Sequence, residues 1–278
     1  MKWTGANIMG QKIKFIHLSD IHLNPATKKN INGMGINTLH KFNALLNDIR
    51  KRALHPDFFI ISGDLIHEGT VEDYRQLHVL LKEQEKAFGV PFYVCLGNHD
   101  DREAFWAGYK NVPGKKEAYY YSETVNDLKL IFLDSKYGIS EEEGRISGEQ
   151  LSWLKEQLVV TPPGGTILIL HHPLYCEPLD FMKYSILQNT DELVPVIEGK
   201  DILAILSGHI HFNATFKTAG IMNFVIAAAS YGIDCSNHRI HKFMDDSTYG
   251  LVRIVDREVM VEQWSLPASK NVKFELSL

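Results

Sequence analysis

Aspartate, asparagine and histidine recur in this chain at the ends of apolar runs, where side chains of those types can gather around a cation. The stretch Ser207-Gly208-His209-Ile210-His211 closes the run that begins at Ile202. An apolar run of that length bounded by glycine reads as a buried strand delivering a loop. Residues i and i+2 of extended backbone point to one side, so His209 and His211 can face one point. Two imidazoles aimed at one point can hold a metal ion; a polar loop with two histidines is the plainer reading. Asp20-Ile21-His22 repeats the arrangement after residues 14–18, with a surface turn as its alternative. Asp64 follows the run 57–61, Asn98 and His99 follow 91–96, and His171-His172-Pro173 follows 166–170. The proline holds its segment extended and keeps a helix from forming there.

The elements between these points alternate. Residues 36–53 carry Leu39, Phe42, Leu45, Leu46 and Ile49 at helical spacing until Pro56 breaks the pattern. Residues 71–88 form a second helix, with Tyr74, Leu77, Leu80 and Leu81 as its apolar stripe and Gly89 and Pro91 as its stop. Strand, polar loop and helix in repetition imply βαβ units and a largely parallel sheet covered by helices. Functional sites in such sheets lie beyond the carboxyl ends of the strands, where Asp20, His22, Asp64, Asn98 and His99 all fall. Further on, 118–122 and 128–134 read as paired strands, 147–158 as a helix with a Ser147 cap, and 191–199 as a short helix. Residues 214–217, 223–228, 249–256 and 259–264 alternate like antiparallel strands, with Asp256-Arg257-Glu258 as a hairpin turn. A polar loop is expected from Asn24 through Asn30, Asn32, Gly33 and Gly35. Residues 174–189 show no period; Tyr175, Phe181, Met182 and Tyr184 fill a core or line a pocket mouth. One domain over 1–278 is expected. Its end, 234–278, holds a C-terminal β-hairpin, and residues 234–246 act as a lid or a dimer contact.

The 278 residues are 45% hydrophobic and 23% charged, values of a folded globular chain. A formal net charge of -5 argues against a nucleic-acid polymer as partner. Cys95, Cys176 and Cys235 are widely spaced and form no disulfide framework or cysteine zinc site. The N-terminus has no apolar core of signal-peptide length, and 222–229 is far too short to span a bilayer. A cytoplasmic protein with no membrane partner is expected.

Taken together, Asp20-Ile21-His22, Gly63-Asp64, Gly97-Asn98-His99-Asp100, His171-His172-Pro173 and Gly208-His209-Ile210-His211 resemble the calcineurin-like metallophosphoesterase family over roughly residues 13 to 230. The resemblance implies an α/β fold of two mixed β-sheets packed together and flanked by helices, a four-layer αββα sandwich. It implies two divalent transition metal ions (Mn, Fe or Zn) as cofactors. Asp20, His22, Asp64 and His211 would hold the first, and Asp64, Asn98, His171 and His209 the second, with Asp64 bridging. His171 is preferred to His172 because the family's ligand lies two residues before the proline. Oxygen and imidazole ligands suit those metals, and two such cations clamp a phosphoryl group and activate the attacking hydroxide. His99 would stabilise the transition state or protonate the leaving oxygen.

The stretches Gly63–Gly69 and Gly97–Asp100 depart from the G-D-x-V-D-R-G and G-N-H-E pattern of protein Ser/Thr phosphatases. The related DNA-repair nucleases add a capping domain for which little chain is left. The pattern looks most like class III cyclic nucleotide phosphodiesterases and glycerophosphodiesterases. A small phosphodiester is the expected substrate and partner, with 3′,5′-cyclic AMP the leading example. The alternative is a phosphomonoesterase or nucleotide phosphohydrolase of the same family. A non-catalytic scaffold would be expected to lose ligands, and none is missing. The resemblance favours a homodimer or larger assembly. Arg102, Arg145 and His238 are phosphate or base contacts, or solvated surface residues.

Overall fold

A computed structural model describes residues 12–25, 34–138 and 142–266, and the backbone of 272–277. The loop expected after Asn24 runs mostly through 26–33, outside the described residues. Continuously apolar strands predict burial on both faces, and that is the arrangement found. The first sheet has the order β13-β12-β1-β2-β3. β1 (Lys12–Leu18), β2 (Phe58–Ser62) and β3 (Phe92–Cys95) run parallel, and β12 (Thr248–Val255) and β13 (Glu258–Ser265) are added antiparallel. The second sheet has the order β4-β5-β6-β7-β9-β8. β5 (Leu128–Phe132), β6 (Thr166–Ile169), β7 (Ile202–Ser207) and β9 (Ile221–Val225) are parallel; β4 (Tyr121–Val125) and β8 (Ala214–Thr218) are antiparallel edges.

Side-chain alternation along these strands assigns the layers. Ile13 and Phe15 of β1 and Phe58 and Ile60 of β2 pack against Leu130, Phe132, Ile167 and Leu206 of the second sheet. The intervening Ile16, Leu18, Phe59 and Ile61 pack outward beneath the first helices. Those are α1 (Thr38–Lys51), α2 (Val71–Phe88) and α3 (Arg102–Gly108). On the opposite side, Ile131, Leu133 and Leu168 pack beneath α4 (Gly148–Gln157) and α5 (Thr190–Ile197). Two mixed sheets between two helical layers give the αββα sandwich, in place of one largely parallel sheet. No helix of the described residues is long and apolar enough to cross a membrane.

Local signals set the boundaries. Asn37 caps α1 by accepting from the backbone of His40, Thr70 and Asp73 form a capping box on α2, and Gly89 ends α2 in the left-handed region. The Asp256–Arg257 turn closes the β12–β13 hairpin with both residues at positive φ. Three elements depart from expectation. The pair at 118–134 is shifted to 121–125 and 128–132, which leaves Asp134 beyond its strand to receive the Arg102 guanidinium through two oxygens. Residues 174–189 contain a 3₁₀ segment, Glu177–Ser185, whose period the 3.6-residue template does not match. Residues 234–246 belong to a third, small sheet formed by β10 (Gly232–Asn237), β11 (Ile240–Met244) and β14 (Val272–Ser277).

Asp100 ties the loops of the first sheet together. Its buried carboxylate accepts from the backbone N–H groups of Leu65, Ile66 and Gly97 and from the Tyr74 hydroxyl of α2 at 2.7 to 3.2 Å. Burial, aided by the nearby Asp64 charge, pushes its pKa up to about 6. Asp100→Ala strands these buried donors and should lower unfolding free energy by about 3 kcal/mol or more. Urea denaturation measures it, with Asp100→Asn expected to fall between the variant and the wild type because it keeps one acceptor oxygen.

Candidate metal centre

The carboxyl ends of β1, β2, β3, β6 and β7 meet at one edge of the sandwich, so their loops are neighbours. Backbone bonds lace them together. Asp20 N–H donates to Gly63 O at 3.1 Å, His22 N–H to Asp64 O at 2.9 Å, and Gly208 N–H to His171 O at 3.0 Å. Gly208 is required by close approach: a Cβ there would lie 1.8 Å from Ser19 Oγ and 2.5 Å from Asp20 Oδ2. Gly97 is required likewise, with Asp64 Oδ1 2.2 Å from the same point.

The structure brings all seven proposed donor residues together: Asp20, His22, Asp64, Asn98, His171, His209 and His211. Each is buried, at most 7% exposed. The convergence does not come from extended backbone. Asp20, His22, Asp64, His209 and His211 all have positive φ, from 40° to 68°. Non-glycine residues there are strained by about 1 kcal/mol or more each, and such strain gathers at functional sites.

The donors fall into two groups sharing one carboxylate. His211 Nε2 lies 3.3 Å from His22 Nε2 and 3.3 Å from Asp20 Oδ1. His171 Nε2 lies 3.2 Å from Asn98 Oδ1 and 3.2 Å from His209 Nδ1. Asp64 Oδ2 stands between them, 3.4 Å from His22 Nε2 and 3.3 Å from His171 Nε2. The backbone N–H of His99 fixes the other Asp64 oxygen at 2.9 Å.

Outer partners settle which nitrogen of each ring faces inward. His171 donates its Nδ1–H to the Ser62 carbonyl at 2.7 Å, and His211 donates its Nδ1–H to the Tyr231 carbonyl at 2.7 Å. His209 turns Nε2 to Ser185 Oγ at 3.1 Å. Each ring, once neutral, thereby keeps an electron pair for the centre. Asp20 Oδ1 is buried with no hydrogen-bond donor among the described residues. Inward lone pairs and an orphaned carboxylate oxygen repel one another unless a cation lies among them, so the donor set fits a metal. Groups of possible ligand atoms within 4.8 Å of one another include Asp20, His22 and His211, and Asp20, Asp64 and His171.

Electrostatics follow the same logic. Burial holds His22 well below its ordinary pKa, and it holds His209 down to about 3, with His171 adding to the shift. Burial opposes charge on His171, but Asp64 and Asp20 outweigh it and raise the pKa to about 9. Burial likewise opposes charge on Asp64, and the facing His171, His99 and His22 outweigh it and hold the carboxyl well below its ordinary range.

The remaining expectations sort out by contact. His172 turns Nδ1 to Ser135 Oγ at 2.7 Å and packs its ring 4.4 Å from that of His209, with Nε2 buried and without a partner among the described residues. Arg102 is held by Asp134 and the Lys136 carbonyl, Arg145 by Glu192 at 2.5 Å, and His238 stacks on Phe181 at 4.1 Å. His99, half-buried, faces a cavity of about 280 Å³. Asp64, His209 and His211 line it together with Met182, Tyr184, Tyr231, Ile233 and Phe243 and with the polar Glu142, Ser185 and His241. Ser185, Tyr231, Ser135 and His67, which faces His22, have no signal in the sequence that marks them for the site.

A model of the family described as calcineurin-like phosphoesterase matches residues 13–213. The chain is 30% identical over 219 residues, 79% of its length, to a cAMP/cGMP dual specificity phosphodiesterase of Mycobacterium tuberculosis, 68% of which is covered. It is 31% identical over 224 residues to a probable glycerophosphodiester phosphodiesterase of Arcobacter nitrofigilis, covering 78% of this chain and 79% of that one. In fold it is similar to a dimetal phosphatase from Danio rerio, with TM-score 0.59 at 12% identity over 90% of this chain and 98% of that one.

A cation at His171 Nε2 must displace the proton that a pKa near 9 holds there at neutral pH. Mn(II) affinity of the full chain should therefore rise with pH, by up to about tenfold per unit below pH 9, and level off above it. Calorimetry in two buffers should show about one proton released from this group per chain at pH 7. The folded pKa lies above the ordinary 6.5. The stability from this charge is thus present below pH 6.5 and lost as pH rises through about 9, so metal-free protein should unfold more readily across that window.

Proposed function

The chain belongs to the calcineurin-like phosphoesterase family, and from that premise we propose that it hydrolyses a small phosphodiester at a dinuclear metal centre, with 3′,5′-cyclic AMP the leading substrate. Asp20, His22, Asp64 and His211 would hold one divalent cation, and Asp64, Asn98, His171 and His209 the other, with Asp64 shared. Bound there, Mn, Fe or Zn ions would supply Lewis-acid activation of the phosphoryl oxygens and of the attacking water. The observation that carries the reading is that the donor cluster shares one cavity with aromatic and aliphatic side chains. A phosphate alone needs only the donors; Tyr184, Tyr231, Ile233 and Phe243 beside them suit an organic substituent such as a nucleoside.

The chain's own residues supply the rest. His99 fixes Asp64 through its backbone N–H while its ring faces the cavity. That imidazole would give a proton to the leaving oxygen or stabilise its charge, which contributes typically ~10²–10⁴-fold. Lys136 Nζ–H donates to the Asn98 carbonyl at 2.5 Å and steadies the loop that carries both Asn98 and His99.

Manganese-loaded full chain should convert 3′,5′-cyclic AMP to AMP and cleave bis(p-nitrophenyl) phosphate. Rapid turnover of p-nitrophenyl phosphate with the diesters left intact would instead assign a phosphomonoesterase. His99→Ala should lower kcat by about 10² or more at saturating manganese, where metal analysis still finds the wild-type content. Loss of metal in that variant would remove His99 from the proton-transfer role.

A further inference from the structure

His22 aims Nε2 into the centre, and its Nδ1 faces Nδ1 of His67 at 3.4 Å. Both rings are buried, His22 1% and His67 8% exposed. A ring that offers its Nε2 electron pair to a cation is neutral and carries its single proton on Nδ1. His22 is therefore the donor of an N–H···N bond, His67 is the acceptor, and the proton of His67 sits on its own Nε2.

We propose that His67 is a positioning residue of the metal centre: by accepting the His22 Nδ1–H it fixes the tautomer and the ring plane of that ligand. The inference rests on the dinuclear reading of the centre. His171, His211 and His209 meet the same requirement with oxygen partners, namely the Ser62 carbonyl, the Tyr231 carbonyl and Ser185 Oγ. A ring nitrogen has one in-plane electron pair, so it is a more directional acceptor than a carbonyl and must itself be held. Two features hold it. The His67 ring stacks on His99 with centroids 4.4 Å apart and planes 27° apart. Its backbone N–H donates to Leu23 O at 3.3 Å, one residue beyond His22.

The same proton arrangement decides a competing use of these residues. His67, Glu68 and His99 each bring a ligand atom within 4.8 Å of the others, a potential third cation site. A cation on His67 Nδ1 would take the electron pair that His22 uses. A cation on His67 Nε2 would move the ring proton to Nδ1, head-on against the His22 N–H. Either binding mode breaks the His22 contact, so a third cation and a well-held cation at His22 exclude each other.

The test is Mn(II) binding to the metal-free full chain, followed by calorimetry. His67→Asn keeps an acceptor where Nδ1 stood, and His67→Phe keeps a ring on His99 without one. His67→Phe should weaken one of the two binding steps by about 10–100-fold and leave the other nearly unchanged, with His67→Asn close to wild type. Equal affinities in wild type and His67→Phe overturn the proposal, as does an equal loss in both variants, which would mean packing alone. Wild-type protein that takes up no metal overturns the dinuclear reading as well. If His67→Phe does not fold, zinc-loaded wild-type protein labelled with ¹⁵N-histidine carries the decision. A coupling between the two Nδ1 nuclei with the proton on His22 supports the assignment; a proton on His67 Nδ1 overturns it.

Discussion

A neutral imidazole has one proton and one electron pair, and the centre depends on where each ring spends the proton. His171 and His211 give theirs to main-chain carbonyls, at Ser62 and Tyr231. Those acceptors cannot rotate away as a side chain can. Ser62 is the last residue of β2, held in a ladder on both sides, and Tyr231 follows directly from the strand β9 and its loop. The ring tautomers are thus fixed by the sheets. The inward electron pairs, with Asp20 and Asp64 among them, form an arrangement that the polypeptide would not adopt for its own stability. Three apolar layers, between the sheets and beneath each set of helices, supply the burial that offsets it.

The same edge stores backbone strain. Five donor residues lie in the left-handed region, and two glycines exist because a Cβ would strike a candidate ligand carboxylate. Such turns persist only where the surroundings over-determine them. Here the determination comes from loop-to-loop backbone bonds, from His209 N–H to Asp20 Oδ2 at 2.9 Å, and from the four groups gathered on Asp100. The centre is accordingly preorganised. The chain meets its conformational cost on folding rather than on binding.

These relations explain what could be read in the chain and what could not. The donors were legible because a buried strand has a plain signature, an apolar run that stops, and the residue after the stop is forced to the strand's carboxyl edge. Asp20, Asp64, Asn98, His171 and His209 all follow that rule. The means of convergence differs from that expectation: i and i+2 of an extended chain would have served, yet the turns use positive φ, which Asp and His adopt more readily than most residues but which their spacing alone does not specify. The partners of the rings were not legible. Ser185 reaches His209 from 24 residues away and Tyr231 reaches His211 from 20, through tertiary packing with no periodic trace. His67 lay in a stretch that read only as a departure from a phosphatase pattern. Arg102 reads in sequence as a phosphate or base contact or a solvated residue and is committed to Asp134, because a shift of the β4–β5 pair leaves that aspartate past its strand.

The division of labour in the cavity bears on specificity. The inward donors come from loops at the ends of the two large sheets, whose registers are fixed by burial on both faces. Other lining residues come from the 3₁₀ segment, the Tyr231 loop and the small antiparallel sheet, which contribute Met182, Tyr184, Tyr231, Ile233 and Phe243. Those elements meet the centre at several points: Ser185 Oγ on His209, the Tyr231 carbonyl and ring on His211, and the backbone N–H groups of Ser230 and Ile233 on the carbonyls of Asp20 and His211. Tyr231 meets His211 through its main chain and also packs its ring 4.4 Å from that of His211 and 5.5 Å from that of His22, so it belongs to the support of the donors as well as to the cavity. Ile233 and Phe243 are paired neighbours on β10 and β11 with no contact to the outer nitrogens of the rings. Substitutions at Ile233 and Phe243 would change the shape of the cavity, whereas substitutions at Tyr231 or Ser185 would also loosen the ligand rings they contact.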